Sequence, residues 1–185
     1  MGGAIALRAL IRGLPFQAAV FSAPMWGILL SAWTRPLANA LSSAARYLSF
    51  DHLYAPGTGP MTYVLDVPFA VNAMTRDADQ YDYMRAQAVA HPEMSLGGPS
   101  FGWLRAALAE CHTLQALPSP KLPCLCSVGS AERVVDTGPI HARLRSWPMG
   151  RLVVVAGAEH EILMERPRPR AAFIADCVAL FSASA

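Results

Sequence analysis

Val153-Val154-Val155-Ala156-Gly157-Ala158-Glu159-His160 is the stretch of sequence that decides the fold. Its β-branched apolar run stops at Gly157, and a histidine follows shortly after that glycine. A short apolar run that ends at a turn residue predicts a strand buried on both faces, as in a parallel sheet. In open parallel sheets, the loops beyond the carboxyl ends of the strands carry the chemistry. His160 is therefore a candidate general base, and the alternative is a histidine that only bonds its own loop.

The composition limits the classes of function. The 185 residues carry a net charge of +2, with 54% hydrophobic and 15% charged residues. This length suffices for one domain with its own core, although the sequence is more apolar than an ordinary soluble domain. The basic cluster from Arg166 to Arg170 is broken by two prolines and lacks interleaved aromatic residues, so no nucleic-acid surface is predicted. The cysteines lack zinc-type spacing and are expected to be reduced core thiols, without a metal.

The uncharged segment between Arg12 and Arg35 raises the question of a membrane span. A stretch of this length can cross a bilayer, yet prolines, a glycine and polar side chains interrupt it. This pattern favours a strand, a loop and the start of a helix. A secretory signal is not favoured, because no small-residue cleavage site closes an apolar core. A membrane-associated protein anchored through residues 13–34 stays open as an alternative.

The last third of the chain predicts alternating strands and helices. In the order strand, helix, strand, helix, the expected ranges are 122–128, 140–147, 151–156 and 169–182. A right-handed crossover makes the two strands parallel and usually adjacent, so the loops after both emerge at one edge of the sheet. The acidic loop 132–136 is then expected beside His160.

The earlier part of the chain predicts a helix over 1–14 and a strand over 17–22. Residues 25–113 give no clear strand signal and predict a mostly helical insertion, with a helix over 103–109. The expected fold class is therefore α/β, with about three parallel strands and flanking helices. Its segments are a core part over 1–24, a helical insertion over 25–113 and a second core part over 114–185.

An acid and a histidine on neighbouring loops are two members of a nucleophile–base–acid triad. Glu132 and Asp136 are both candidate acids; loop position favours Glu132, whereas Asp136 suits the cap of the following helix. The chain order fits α/β-hydrolases, which carry a serine upstream on a G-x-S-x-G turn. Gly98-Pro99-Ser100-Phe101-Gly102 matches that pattern formally, but no strand precedes it and its proline opposes the required geometry.

Met1-Gly2-Gly3-Ala4-Ile5-Ala6-Leu7 resembles the segment after the nucleophile in serine hydrolases of the lysophospholipase and monoacylglycerol-lipase type. Their elbow commonly reads G-H-S-M-G-G. The stretch 17–24 resembles the strand after the elbow helix, and 96–104 is similar to a cap segment of bacterial lysophospholipases. The stretch 129–135 occupies the place of the acid loop, and 157–165 resembles the histidine loop of the same bacterial group.

This resemblance implies an α/β-hydrolase that is truncated at its amino end, just after the nucleophile serine. It implies His160 as the base, Glu132 as the acid with Asp136 as the alternative, and the backbone N–H of Met1 in the oxyanion hole. Residues 25–113 then correspond to the cap. The apolar candidates for contact with the acyl chain include three tryptophans, although packing within the cap is the simpler interpretation of each: Trp26, Trp33 and Trp103.

The substrate implied by the resemblance is a lysophospholipid or a monoacylglycerol-type acyl ester, cleaved without a cofactor. The expected location is the cytoplasm, with peripheral contact at the inner membrane left open. Because the serine is missing, the printed chain is predicted to be catalytically silent. A non-catalytic binding or interaction module built on a hydrolase remnant is the alternative.

Overall fold

The computed structural model describes residues 1–30 and 49–184. Within these described ranges, short 3₁₀ turns lie at Phe69–Val71, Pro92–Met94 and Ile162–Met164. Numbered in chain order over the described residues, the helices and strands are α1 (Gly2–Ile11), β1 (Ala19–Ser22), α2 (Tyr63–Asp66), α3 (Ala78–Ala90), α4 (Phe101–Ala116), β2 (Cys124–Gly129), α5 (Thr137–Ser146), β3 (Gly150–Val155) and α6 (Pro167–Ala183).

The three strands found among the described residues form one parallel sheet in the order β1-β2-β3. The register pairs Ser22 with Ser127 and Gly129 with Val155, so β2 and β3 end side by side. All six residues of β2 are buried, because this strand has a neighbour on each side and is covered on both faces. The predicted α/β class with parallel strands and flanking helices is thereby confirmed.

Element boundaries differ from the sequence-based expectations by a few residues. α1 ends at Ile11 instead of Leu14, because the chain turns at Gly13, whose φ of +83° suits glycine. The helix expected over 103–109 is longer and continues to Ala116. Its end is set by Pro118, which disfavours helical backbone at the preceding residue. These shifts leave the order of the elements unchanged.

The two faces of the sheet carry separate apolar cores. On one face Phe21, Trp26 and Trp147 pack together, with ring centroids of Phe21 and Trp26 5.1 Å apart. On the other face Leu125 packs with Ile162 and Phe173. Successive strand residues point to opposite faces, which explains how neighbouring residues of β1 and β2 serve both cores.

The chain divides into two compact units. The first holds the sheet and comprises Met1–Leu29, Ala73–Asp77 and Glu110–Ala185. The second comprises Leu30–Asn72 and Ala78–Ala109, and among its described residues it forms helices and turns but no strand. The limits predicted for the insertion, 25–113, and its role as a cap stay predictions.

The second unit has its own buried centre. Tyr81 is fully buried, and its hydroxyl donates a hydrogen bond of 2.7 Å to the carbonyl oxygen of Val67. The ring of Phe69 lies 5.7 Å from that of Tyr81. Gly98 packs so closely on Thr58 that a Cβ atom there would lie 2.3 Å from the Thr58 side chain. The glycine-rich stretch 96–102 thus has a packing role within this unit.

Among the described residues, no helix has both the length and the apolar character needed to cross a bilayer. Part of the segment 13–34, which the sequence leaves open as a membrane anchor, lies outside the described residues.

Candidate active site

Two loops meet where β2 and β3 end. The acid loop, residues 130–136, follows β2, and the histidine loop, residues 156–161, follows β3. The backbone N–H of Ala131 donates to the carbonyl oxygen of Ala158 at 3.0 Å, and the N–H of Gly157 donates to Oγ of Ser130 at 2.8 Å. These bonds hold the two loops against each other, as expected when neighbouring parallel strands end at one edge of a sheet.

Gly129 makes this close approach possible. A Cβ atom at this position would lie 2.2 Å from the carbonyl oxygen of Ala158 and 2.4 Å from that of Glu159. Any larger residue would therefore force the histidine loop away from the end of β2. The glycine at the end of β2 is thus required by the close approach of the histidine loop.

The structure brings Glu132 and His160 together. Nδ1 of His160 lies 2.8 Å from Oε2 of Glu132, across 28 positions in the sequence. The side chain of Glu132 is 1% exposed, whereas that of His160 is 18% exposed. A carboxylate can only accept at Nδ1, which places the imidazole proton there and leaves Nε2 as the basic nitrogen.

The other carboxylate oxygen of Glu132 is held by the backbone. Oε1 accepts hydrogen bonds from the N–H groups of Val134 and Val135, at 2.6 and 3.1 Å. Burial by itself raises the pKa of Glu132, but the hydrogen bond and charge of His160, together with the two N–H groups, outweigh it. The net result is a pKa below the ordinary value of glutamate, so Glu132 is ionised at neutral pH.

Asp136, the alternative acid, has a structural task. Its Oδ1 accepts a hydrogen bond of 3.0 Å from the N–H of Gly138, and the residue is the N-cap of α5. Of the two candidates, Glu132 is the one whose carboxylate is seen to reach His160. The assignment of acid and base roles to this pair remains a prediction.

The residue predicted for the oxyanion hole, Met1, precedes α1 and accepts a hydrogen bond of 2.9 Å at its carbonyl oxygen from the N–H of Ala4. Glycine is required at position 3 of the Gly2-Gly3 pair, because a Cβ atom there would lie 2.5 Å from Cβ of Pro24. The start of α1 is thus packed closely on the end of β1. The oxyanion role of Met1 stays a prediction.

The three tryptophans named as substrate contacts fall in different places. Trp26 is 1% exposed in the core beside the sheet, and its Nε1–H donates to the carbonyl oxygen of Gly3 at 3.1 Å. Trp103 lies on α4 in the second unit and is 36% exposed. Trp33 lies outside the described residues. For Trp26 the structure gives a packing role, and contact with substrate remains a prediction for all three.

Sequence reasoning missed a group of charged residues beneath the histidine loop. Glu159 and Glu165 are buried, at 4% and 1% exposure, and Oε1 of Glu165 accepts the N–H of Glu159 at 2.7 Å. The Glu159 carboxylate lies 3.3 Å from Nε of Arg76 and 3.3 Å from Nε of Arg133. The sequence could have indicated Arg133 and Glu159, because they are the direct neighbours of the predicted acid and the predicted histidine.

The described part of the chain contains no cluster of three His, Cys, Asp or Glu side chains placed to hold an ion. The cysteines there are unpaired, and Cys124 and Cys126 are buried within β2. Burial raises the pKa of Cys124 to about 12. Neither thiol is therefore a suitable nucleophile at neutral pH.

Comparison with known proteins gives one family and a consistent set of relatives. The family model described as serine aminopeptidase, S33 (Hydrolase_4) matches residues 1–167. Lysophospholipase L2 of Escherichia coli K12 is 32% identical over 192 residues, which cover 98% of this chain and 55% of that protein. Probable lysophospholipase L2 of Haemophilus influenzae is 27% identical over 158 residues, covering 82% of this chain and 47% of that protein. The chain thus spans about half the length of these relatives.

Solved structures share the fold at low sequence identity. A soluble variant of monoglyceride lipase from Saccharomyces cerevisiae has a TM-score of 0.70 at 16% identity, covering 99% of this chain and 62% of that one. Monoacylglycerol lipase of Paleococcus ferrophilus has a TM-score of 0.69 at 15% identity, covering 97% of this chain and 65% of that one. At such identities the likeness concerns the fold alone.

Proposed function

We propose that this chain, which belongs to the serine aminopeptidase S33 family of α/β-hydrolases, supplies the acid and base of a serine hydrolase that cleaves lipid acyl esters. The single observation that carries the proposal is the 2.8 Å contact between Nδ1 of His160 and Oε2 of the buried Glu132. Relatives named lysophospholipase L2 support an acyl ester of a lysophospholipid as the substrate. A monoacylglycerol is the second substrate to test, because two fold neighbours are named as lipases of that ester.

In the proposed mechanism, a serine hydroxyl attacks the ester carbonyl while Nε2 of His160 takes its proton. The tetrahedral intermediate collapses to an acyl-serine, and the imidazolium returns the proton to the leaving alcohol. Water then repeats the sequence, releasing the fatty acid and restoring the serine. Glu132 keeps the proton of the neutral ring on Nδ1 and stabilises the imidazolium that forms twice in each cycle. No cofactor takes part.

The nucleophile of this mechanism is a serine directly before Met1, the position that the elbow G-H-S-M-G-G assigns to it. The backbone N–H of Met1 then becomes a peptide donor to the oxyanion. Within the printed sequence no serine occupies such an elbow, and Ser100 in the second unit forms an isolated antiparallel bridge with Tyr54. We therefore expect the 185-residue polypeptide by itself to release no fatty acid.

The experiment compares two polypeptides: residues 1–185, and the longer product obtained by extending the same reading frame upstream of Met1. Both are assayed for fatty acid release from a lysophosphatidylcholine and from a monoacylglycerol. If the extension supplies the serine, the longer product is active, and His160→Ala or Glu132→Gln lowers kcat by about 10³-fold or more. Asp136→Ala serves as the matched control and retains most of the activity.

Two outcomes count against the proposal. Hydrolysis by the longer product that survives His160→Ala would exclude His160 as the base. A longer product that folds but cleaves neither ester would favour the alternative of a binding or interaction module. A cytoplasmic location with contact at a membrane surface also belongs to the proposal, and co-sedimentation of the longer product with lysophospholipid-containing vesicles tests it.

A further inference from the structure

An ion pair lies one residue away from the acid–histidine contact. Glu132 and His160 are joined at 2.8 Å, and their sequence neighbours Arg133 and Glu159 are joined as well. Nε of Arg133 lies 3.3 Å from Oε2 of Glu159, and Nη2 lies 3.3 Å from Oε1. The acid loop and the histidine loop are thus linked by two contacts at consecutive positions, with acid and base exchanged between the loops.

The buried carboxylate of Glu159 depends on the positive charges of Arg133 and Arg76. Its side chain is 5% exposed, whereas the guanidinium-bearing side chains of Arg133 and Arg76 are 53% and 52% exposed. A buried carboxylate without a partner is strongly unfavourable, so its position follows the arginines that neutralise it. Because Glu159 adjoins His160 in the chain, the position of the Glu159 side chain restricts the backbone that carries the imidazole.

Hydrogen bonds through Ser130 and Ala131 already join the acid loop to the histidine loop. The Arg133–Glu159 pair adds a side-chain contact at the positions next to Glu132 and His160, and it further restricts the angle at which the carboxylate meets the ring. Angular precision matters at this site, because a hydrogen bond weakens steeply when its angle departs from linearity. The angle between the carboxylate and the ring also decides the direction in which Nε2 of His160 faces.

We propose that Arg133 and Glu159 are positioning residues that hold the carboxylate of Glu132 on Nδ1 of His160. The inference rests on the proposed function for its catalytic meaning, but the geometry it describes is measurable in the chain without any reaction. Neither residue takes part in proton transfer; Arg133 acts through Glu159, and Glu159 acts through the backbone of the histidine loop.

Arg76 supplies a matched control. It also contacts Glu159 at 3.3 Å, but it belongs to the segment Ala73–Asp77, not to the acid loop. That segment anchors the histidine loop by its backbone, since Ala73 and Met74 accept the N–H groups of His160 and Glu161 at 3.2 and 2.8 Å. Loss of the Arg76 guanidinium therefore takes one positive charge away from the surroundings of Glu159, as loss of Arg133 does, but it breaks no contact between Glu159 and the acid loop.

The experiment uses the 185-residue chain with ¹⁵N-labelled histidine. The Nδ1 proton of His160 is assigned by its absence in His160→Ala, and its exchange with solvent is measured by NMR in the wild type, Arg133→Gln and Arg76→Gln. We expect Arg133→Gln to speed the exchange by about fivefold, the size that a half-exposed ion pair permits. Arg76→Gln should stay close to the wild type, and Arg133→Lys should recover part of the slow exchange.

Equal exchange in Arg133→Gln and Arg76→Gln, whether slow or fast in both, would overturn the inference. If Arg133→Gln does not fold, Arg133→Lys and Arg76→Lys take its place; faster exchange in the first of these two supports the inference and equal exchange overturns it. These results are independent of the hydrolysis assay. Absent hydrolysis would reject the proposed function, whereas unchanged proton exchange would reject the positioning role alone.

Discussion

Glu132 and Asp136 stand four positions apart in one loop, yet they make different contacts. Glu132 points one carboxylate oxygen at His160 and the other at two backbone N–H groups of its own loop. Asp136 accepts the N–H of Gly138 and begins α5. The shorter side chain at the helix start is the usual choice for an N-cap, and the longer one spans the gap between the loops.

Substitution of each carboxylate should therefore have a different effect. We expect Glu132→Gln to abolish the slow exchange of the His160 Nδ1 proton. It should also lower the free energy of unfolding by about 1–3 kcal/mol, because the amide replaces one of the two buried acceptor oxygens with a donor. Asp136→Ala should lower the free energy of unfolding by about 1 kcal/mol through the lost cap and leave the proton signal unchanged. NMR and urea unfolding of both variants give the answer, and loss of the proton signal in Asp136→Ala would contradict the assignment.

The depressed pKa of Glu132 also predicts a pH dependence of stability. A group whose pKa is lower in the folded than in the unfolded state contributes stability above its unfolded pKa, here near the ordinary 4.5, and loses it as pH falls through the folded value. The difference in unfolding free energy between the wild type and Glu132→Gln should therefore be largest above pH 4.5 and shrink below it. Urea unfolding across this range measures the difference, and a gap that widens in acid would refute the sign.

At the scale of elements, the site depends on how closely two strand ends approach. β2 ends in Gly129 beside Val155, the last residue of β3, and the histidine loop passes directly over that glycine. The approach allows the backbone bonds between residues 130–131 and 155–158. The sheet thus brings the acid and histidine loops together, while the residue at the end of β2 sets how closely they meet.

Gly129→Ala tests this contact between elements. The added methyl would collide with two carbonyl oxygens of the histidine loop, so we expect a loss of about 1–3 kcal/mol in unfolding free energy and faster exchange of the His160 Nδ1 proton. Gly2→Ala is the control, because a Cβ atom there meets nothing within 4 Å and the position is helical. The control should be neutral or stabilising by up to about 1 kcal/mol. Equal thermal unfolding midpoints for the two variants would contradict this account.

At the scale of the whole molecule, β2 is the central strand of the sheet-bearing unit, with a neighbouring strand on each side and packed side chains on both faces. Cys124 and Cys126 in β2 are 1% and 0% exposed, and burial raises the pKa of both thiols. Cys177 on α6 is only partly buried. Access of a reagent to β2 therefore requires the sheet to open, whereas access to α6 does not.

The rates at which the cysteines are alkylated should reflect the difference in accessibility between β2 and α6. With iodoacetamide at neutral pH we expect Cys177 to react first, and Cys124 and Cys126 to react at the rate of global unfolding. Peptide mass spectrometry over time, with and without urea, measures the three rates in one sample. Labelling of Cys124 as fast as Cys177 in the absence of urea would show that the sheet opens locally.

The sequence by itself determined the strand–helix order, the parallel sheet and the neighbouring loops of acid and histidine. Each of these follows from local apolar patterns and from the handedness of the crossover, which need no knowledge of side-chain positions. Only the tertiary structure decided that Glu132 contacts His160, that Trp26 packs beside the sheet and that Arg133, Arg76 and Glu159 support the site. Those facts depend on contacts between side chains that lie far apart in the sequence, such as Arg76 and Glu159, 83 positions apart, and only the folded backbone brings them together.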